Sequence, residues 1–226
     1  QRGVEVDVIR FVSYADERFR QAGERIFRQA ASFNLFDSIH VVRDVTELNV
    51  EPWVVDFCRQ QPRGGFGIWK PCLLSDEQKQ ARPGDVIVYA DAGCHLDSQG
   101  TERMLEYVML ARAGGVLAMQ TRWREREYTK PSLLVGLPEW MLLTGQICTG
   151  LIVITGSQWL VGKWKQQALQ FKGANLLPDD FFNHRYDQSL WSVLCKTNQV
   201  LVIPEEGEPE TPVPFVRPVL FARDNL

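Results

Sequence analysis

An aspartate at the end of an apolar run is the first residue of this sequence that could do chemistry. Asp91 directly follows Val86–Ala90, a continuous, β-branched run preceded by a turn, which is typical of a central strand covered on both faces. Ligands of open α/β sheets bind outside the carboxyl ends of such strands. We therefore expect Asp91 to meet a ligand, whereas the simpler alternative is a cap on the following turn.

The same position could hold a divalent cation. Mg²⁺ and Mn²⁺ prefer oxygen ligands and are usually held by one or two carboxylates together with substrate phosphates. No partner ligand is evident beside Asp91, because Gly93 stands where a second acidic residue would strengthen the case. A glycine there would instead let a ligand approach the backbone closely.

A second chemically capable group is the segment His184-Arg185-Tyr186-Asp187-Gln188-Ser189, just before a predicted helix. The simpler interpretation makes Asp187 the cap of that helix. It does not account for His184 and Arg185. If the helix start faces the same cleft as Asp91, the cluster offers charge stabilisation and a base or nucleophile to one reaction centre.

Three further polar residues lie in loops or beside them. Lys70 follows the glycine-rich stretch 61–67, but the spacing G-x-x-x-x-G-K-[ST] is missing, which excludes a Walker site. The lysine either meets phosphate as a point charge or lies on the solvated surface. Lys130 and Gln146 are candidates whose simpler interpretation is ordinary loop polarity.

The composition of the 226-residue chain is that of one soluble globular domain, with 45% hydrophobic and 23% charged residues. Basic and acidic residues number 25 and 28, and no Lys/Arg stripe is present, which argues against nucleic acid as a partner. We expect neither a signal peptide nor a membrane span, because no basic and apolar leader and no long apolar stretch occur.

The five cysteines are odd in number, widely spaced and without a C-x-x-C pair. This pattern favours neither a disulfide framework nor a zinc site. A reducing compartment fits such usage best, so we expect a cytoplasmic protein.

The elements that must position these residues follow an α/β pattern. A strand over 4–12, a helix over 17–32 and a strand over Ser38–Val42 make a βαβ unit with parallel pairing. The sequence thus predicts a single α/β domain with a mixed, mostly parallel central sheet flanked by helices. Its parts are a first half (1–95), a second half (96–203) and a Pro/Glu-rich strap (204–226). Further elements are predicted as helices over 71–80, 101–113, 157–169 and around 190–194, and as strands over 116–119, 151–154 and 200–203.

Several motifs taken together resemble a known family. They are Phe11-Val12-Ser13-Tyr14, Gly65-Phe66-Gly67-Ile68-Trp69-Lys70-Pro71, Gly84-Asp85-Val86-Ile87-Val88-Tyr89-Ala90-Asp91-Ala92-Gly93, Thr129-Lys130, Gly145-Gln146 and His184-Arg185-Tyr186-Asp187-Gln188-Ser189. In this order they resemble GT-A-type glycosyltransferases of bacterial polysaccharide loci and large algal viruses, including the N-terminal domain of chlorovirus multidomain glycosyltransferases.

The resemblance implies transfer of a sugar from a nucleotide-diphosphate donor, a UDP-sugar, to a glycan or glycoprotein hydroxyl. It also implies that residues 1–95 are the nucleotide-binding half and residues 96–203 the acceptor or catalytic half. Asp91, Ala92 and Gly93 stand where the family keeps the Asp-x-Asp motif that binds Mn²⁺ or Mg²⁺. Because Gly93 replaces the second carboxylate, two alternatives are open. Either a metal is held by fewer protein ligands, with His184 as a candidate, or the metal is dispensable.

The resemblance also implies roles for the remaining residues. Ser13 and Tyr14 would contact the nucleobase, and Asp187 with Gln188 would lie beside the anomeric carbon as the catalytic pair. Neither a retaining nor an inverting mechanism follows from this pair. The other implied contacts are Lys70, Lys130 and Arg185 with the donor and Gln146 with the acceptor.

Two rival interpretations remain. A nucleotidyltransferase acting on a sugar phosphate would normally show a glycine-rich and basic loop after the first strand, which the stretch 13–16 lacks. A non-catalytic glycan-binding module would not need charges at strand ends. A viral origin would place the chain in the host cytoplasm, and the family's habit of occurring in longer chains favours an excised domain.

Overall fold

A mixed sheet of seven strands runs through the centre of the computed structural model, which describes residues 7–221. Two further short strands form a separate pair. In chain order the strands are β1 (Ile9–Tyr14), β2 (Ser38–Val42), β3 (Val86–Ala90), β4 (His95–Leu96), β5 (Val116–Arg124), β6 (Gly145–Ile147), β7 (Leu151–Thr155), β8 (Leu201–Pro204) and β9 (Val219–Leu220).

The large sheet has the strand order β2-β1-β3-β7-β5, and both β6 and β8 pair with β5. β1 is parallel to β2 and β3, whereas β7 is antiparallel to β3 and to β5. β8 is parallel to β5, and β6 is antiparallel to it. Within residues 7–221, five of the seven strands therefore point the same way, which confirms the predicted mixed, mostly parallel sheet.

Helices cover both faces of this sheet, because its strands bury side chains on both sides. Buried side chains of α2, α4, α8 and α9 pack on one face, and those of α1 and α5 pack on the other. The helices are α1 (Arg20–Ser32), α2 (Pro52–Gln60), α3 (Pro62–Phe66), α4 (Trp69–Gln80), α5 (Thr101–Gly114), α6 (Glu125–Tyr128), α7 (Glu139–Leu143), α8 (Leu160–Leu169) and α9 (Asp187–Thr197).

The predicted βαβ unit is present, and β3 is the buried central strand that the sequence indicates. All five residues of β3 are buried, with alternate side chains facing the two helix layers. β1 runs to Tyr14, beyond the predicted end at residue 12, and residues 4–6 of that prediction lie outside the described residues. The helix predicted from Pro71 begins at Trp69, so Lys70 lies in its first turn.

Other bounds differ by a few residues. β5 continues to Arg124, five residues beyond the prediction, because β6 pairs with its second half. The helix predicted over 157–169 begins at Leu160, and α2 has no counterpart among the predicted elements.

The Pro/Glu-rich segment is held onto α5 at its start. Glu206 is buried, forms an ion pair with Arg103 and accepts a hydrogen bond from the hydroxyl of Tyr107. The segment returns through β9, which pairs with β4. Residues 222–226 of the predicted strap lie outside the described residues.

Within residues 7–221 no helix is both long and apolar enough to cross a membrane. All five cysteines are buried thiols without a disulfide partner.

Asp85 fixes the start of β3 against β1. Its buried carboxylate accepts hydrogen bonds from the backbone N–H groups of Val8 (3.0 Å) and Arg82 (2.9 Å) and lies 3.4 Å from the Arg82 guanidinium. Burial by itself raises the pKa of Asp85, but these hydrogen bonds and the nearby guanidinium groups outweigh it and hold the pKa below its usual value.

We predict that Asp85→Asn lowers the free energy of unfolding by about 1–3 kcal/mol at pH 7, because a buried charged acceptor is lost. A carboxylate whose pKa is lower in the folded state stabilises the fold at pH values above its unfolded-state pKa of ~3.9. This stabilisation is lost as the pH falls through the folded-state pKa. The difference from wild type should therefore shrink below about pH 4. Urea unfolding at several pH values measures it, and the exposed Asp56→Asn is the control. A difference that stays constant down to pH 2 would contradict the assignment.

Candidate active site

A buried ammonium group joins two carboxylates at the carboxyl end of β3. Lys70 Nζ lies 3.0 Å from Asp91 Oδ1 and 3.1 Å from Asp187 Oδ2. It also donates to the carbonyl oxygen of Thr149 at 3.2 Å. An ammonium group has three donors, and these three acceptors use all of them.

The fold brings these residues together from four separate segments. Asp91 follows β3, Lys70 lies in the first turn of α4, and Asp187 is the first residue of α9. Thr149 lies in the short connection between β6 and β7. Because β7 is the neighbour of β3, the connection before β7 lies beside the end of β3.

The segment α3 is not a regular helix: its residues 63–66 and Gly67 form a left-handed turn that makes room for Asp187. All five of these residues have positive φ, from 54° to 78°. Glycine adopts this conformation readily, whereas Arg63 and Phe66 adopt it at a steric cost. At Gly67 a Cβ atom would lie 2.7 Å from Cγ and Oδ1 of Asp187, so the carboxylate occupies space that only glycine leaves open.

Charge decides the protonation of this cluster. Burial by itself disfavours the charged form of Lys70, but Asp187 and Asp91 outweigh it and raise the pKa of Lys70 above its ordinary value. Burial raises the pKa of Asp187, repulsion from Asp91 adds to this, and Lys70 opposes it. Lys70 is therefore a permanent cation that favours the ionised form of Asp187.

Asp187 is not a helix cap, so the simpler interpretation of this residue is wrong. The N-cap residue of α9 is Tyr186, at φ 51° and ψ −117°, and no side chain caps the helix. The Asp187 carboxylate contacts Lys70 and accepts a hydrogen bond from the hydroxyl of Thr149 (3.1 Å). Its position at the positive end of the helix dipole still favours the negative charge.

Tyr89 completes the surroundings of Asp91. Its buried hydroxyl donates to Asp91 Oδ1, the same oxygen that Lys70 contacts. Burial, with the Asp91 charge adding to it, raises the pKa of Tyr89 well above its ordinary value, so the phenol keeps its proton. The Asp91 side chain remains 42% exposed.

Two cavities meet at Asp91. The first has a volume of about 400 Å³ and an aromatic wall, and the second has about 500 Å³ and a more polar lining. They share Arg63, Asp91 and Gly93. The aromatic residues of the first cavity are Tyr14, Phe19, Phe66, Trp69 and Tyr186.

Ser13 and Tyr14, both predicted to contact the nucleobase, have different surroundings. Tyr14 lines the first cavity and stacks on Trp69, with 4.0 Å between ring centroids. Ser13 is fully buried and donates to the carbonyl oxygen of Ala90 at 2.7 Å, which ties the ends of β1 and β3 together. Ala92 lines the first cavity beside Asp91.

Gln146, Gln188 and Arg185 line the second cavity. The amide of Gln188 donates to Gln146 Oε1 at 2.8 Å, and the amide of Gln146 in turn donates to Thr129 at 2.8 Å. The Arg185 guanidinium lies over the Tyr128 ring, 5.0 Å from its centroid.

His184 and Lys130 line neither cavity and make other contacts. Lys130 Nζ donates to the carbonyl oxygens of Ala174 and Leu177 and pairs with Asp179 at 3.0 Å. The His184 ring accepts from the Lys130 backbone N–H at Nδ1 and donates from Nε2 to a carbonyl oxygen at 3.2 Å. Burial lowers the pKa of His184 to about 4, so the ring is neutral. Both side chains hold the loop before α9.

The donor set at Asp91 does not fit a divalent cation held by the protein. One oxygen of Asp91 is already engaged by Lys70 and Tyr89, and Gly93 supplies no second carboxylate. Both nitrogens of His184 are hydrogen bonded elsewhere. Within residues 7–221 no group of three or more His, Cys, Asp or Glu side chains is placed to hold a metal ion.

Arg63, Tyr89 and Thr149 belong to the site but are not among the predicted residues. Arg63 lies inside the glycine-rich stretch. Its backbone is part of the left-handed turn, and its side chain lines both cavities. Tyr89 belongs to the apolar run, so it is indistinguishable in sequence from a core residue. Thr149 follows the Gly145-Gln146 motif by three residues, and this proximity is the one signal that could have indicated it.

No family model and no curated protein matches the chain. Similar solved structures include a glycosyltransferase involved in the glycosylation of the major capsid of PBCV-1 (10% identity, TM-score 0.46, 88% of this chain and 81% of that chain). Another is the galactosyltransferase LgtC with donor and acceptor sugar analogues (13% identity, TM-score 0.45, 82% of this chain and 70% of that chain). A third is a putative glucose-1-phosphate thymidylyltransferase from Bacillus anthracis (10% identity, TM-score 0.41, 88% of this chain and 87% of that chain). The activity of this chain therefore has to be inferred from its site.

We predict that Lys70→Met lowers the free energy of unfolding by about 3 kcal/mol at pH 8, because it leaves two carboxylates without their counter-charge. Without the ammonium group the pKa of Asp187 rises further above its unfolded value, so the variant should regain stability as the pH falls toward that raised pKa. Thermal and urea unfolding between pH 5 and 8 measure this. Lys79→Met, on the exposed side of the same helix, is the control, and a pH-independent loss in Lys70→Met would contradict the prediction.

We predict that Gly93→Asp creates the cation site that the wild type lacks. A Cβ atom at Gly93 meets nothing within 4 Å, so the fold should tolerate the change, with unfolding free energy within about 0.5 kcal/mol of wild type. Two carboxylates should bind Mn²⁺ at least about tenfold more tightly than Asp91 alone. Electron paramagnetic resonance of free Mn²⁺ measures this, with Gly93→Asn as the uncharged control. Equal affinity in wild type and Gly93→Asp would show that Asp91 already suffices.

Proposed function

We propose that this chain is a glycosyltransferase that moves a sugar from a nucleoside-diphosphate donor, a UDP-sugar, to a hydroxyl group of a glycan. The observation that carries the proposal is the pair of cavities that share Asp91 and Gly93. A transfer between two substrates needs two binding spaces of different character that open onto one reaction centre. The Asp187 carboxylate lines the first of them at that junction.

The first cavity suits the donor. Its aromatic wall, including Tyr14 and Trp69, offers π-faces on which a nucleobase can stack. At the other end Gly93 leaves the backbone open to close approach, so the diphosphate would lie near Asp91 with the sugar directed toward the second cavity.

The second cavity suits the glycan acceptor. Its lining is richer in polar surface and includes the amide of Gln188 and the guanidinium of Arg185, both of which can bind sugar hydroxyls. Gln146 holds Gln188 in place through their 2.8 Å hydrogen bond, so its role on the acceptor side is positioning.

The chemistry follows from the charges at the junction. As the bond to the leaving diphosphate breaks, positive charge develops on the sugar, and the carboxylate of Asp187 stabilises it. The acceptor oxygen then bonds to the sugar, and its proton passes to the departing diphosphate. Lys70 favours the ionised form of Asp187 and fixes its orientation. No step is assigned to Mn²⁺ or Mg²⁺, because the donor set at Asp91 does not fit either ion.

We predict that a panel of nucleotide sugars contains at least one donor from which the chain releases its nucleoside diphosphate. Asp187→Asn should lower this turnover at least about a hundredfold, an effect of about 2.7 kcal/mol or more on the barrier, with donor affinity within threefold of wild type. Release of the nucleoside diphosphate and calorimetric donor binding measure the two quantities. The exposed Asp180→Asn should behave as wild type.

Full activity in a folded Asp187→Asn variant would remove Asp187 from the reaction centre. Formation of pyrophosphate from a nucleoside triphosphate and a sugar 1-phosphate would instead identify a nucleotidyltransferase. Glycan binding without any nucleotide binding would identify a binding module.

A further inference from the structure

The positive charge of Lys70 does not balance the negative charge at the junction of the two cavities. One ammonium group faces two carboxylates there, which leaves one net negative charge beside the place where the donor's diphosphate would lie. All three donors of Lys70 are already used by Asp91, Asp187 and Thr149. A diphosphate at Asp91 therefore needs a different cation.

A divalent ion held by the protein is the expected solution in the resembling family, but the donor set at Asp91 does not fit one. The engaged oxygen of Asp91 and the missing side chain at Gly93 leave one free carboxylate oxygen at the end of β3, and the Lys70 ammonium group contacts both this carboxylate and that of Asp187. One such oxygen on a partly exposed residue is a poor site for a resident cation.

Arg63 offers the missing charge. Its exposed side chain lines both cavities together with Asp91 and Gly93, and its guanidinium lies over the Tyr186 ring, 5.4 Å from the centroid. No carboxylate within residues 7–221 forms an ion pair with it. The left-handed turn fixes its backbone at φ 55° and ψ 33°, so the arginine is presented from a defined position.

We propose that Arg63 binds the diphosphate of the donor and that this binding needs no divalent cation. The planar guanidinium can donate two parallel hydrogen bonds to two phosphate oxygens in a fixed geometry, whereas a lysine acts as a point charge. It also supplies the charge at the place where the two substrates meet, so it stabilises the diphosphate both as part of the donor and as the leaving group. This inference rests on the proposed function, because it needs a nucleoside-diphosphate donor.

Isothermal titration calorimetry with UDP, GDP, ADP and CDP, each in EDTA and in MnCl₂, tests the inference. We expect one of the four to bind in EDTA and to change its affinity less than threefold in MnCl₂. Arg63→Gln should weaken binding of that diphosphate at least about tenfold, because a charged hydrogen bond is lost, and should leave binding of the matching nucleoside within threefold of wild type. Arg63→Lys should retain part of the affinity, and Arg59→Gln, an exposed change on α2, is the matched control.

Three results would overturn the inference alone: diphosphate binding that requires MnCl₂, Arg63→Gln with wild-type affinity for the diphosphate, and equal losses for the diphosphate and the nucleoside. Absence of binding by all four diphosphates in both buffers would overturn the proposed function, and this inference with it. The two failures are therefore distinguishable in one set of titrations.

Discussion

The burial of one ammonium group is the constraint on which the rest of this structure depends. Removing Lys70 from water is unfavourable by several kcal/mol unless its partners lie at hydrogen-bond distance. Asp91 at the end of β3 and Asp187 at the start of α9 meet that requirement only if the sheet, α4 and α9 are all correctly placed. The core and the candidate site are thus coupled: a change that shifts either helix also unbalances the charges at the junction.

Local patterns predict the framework of this site well. Strand β2 and the buried strand before Asp91 have the predicted bounds. For the strand before Asp91 the reason is that a continuous apolar run between turn signals has few alternatives in an α/β sheet. Neighbouring residues at a strand end are harder to separate. The sequence does not separate Ser13 from Tyr14 as nucleobase contacts, yet successive residues of a strand point to opposite faces, so only Tyr14 faces the cavity.

Loop residues show where prediction from sequence ends. Lys130 has the chemistry of a phosphate ligand and His184 that of a metal ligand. However, the ammonium group of Lys130 and both ring nitrogens of His184 form hydrogen bonds with backbone groups. No periodicity in the sequence indicates such a contact. Arg63 is the opposite case, because its orientation depends on five successive left-handed residues, and the glycines among them predict a turn without its direction.

The second cavity contains part of the chain's far end. Glu208 and Phe221 line it, and the backbone of Phe221 donates to the carbonyl oxygen of Gly207 at 2.8 Å. Phe221 directly follows β9, whose pairing with β4 holds this segment outside the large sheet. The shape of the second cavity therefore depends on the pairing of two short strands, whereas the Lys70 cluster depends on the large sheet and its helices.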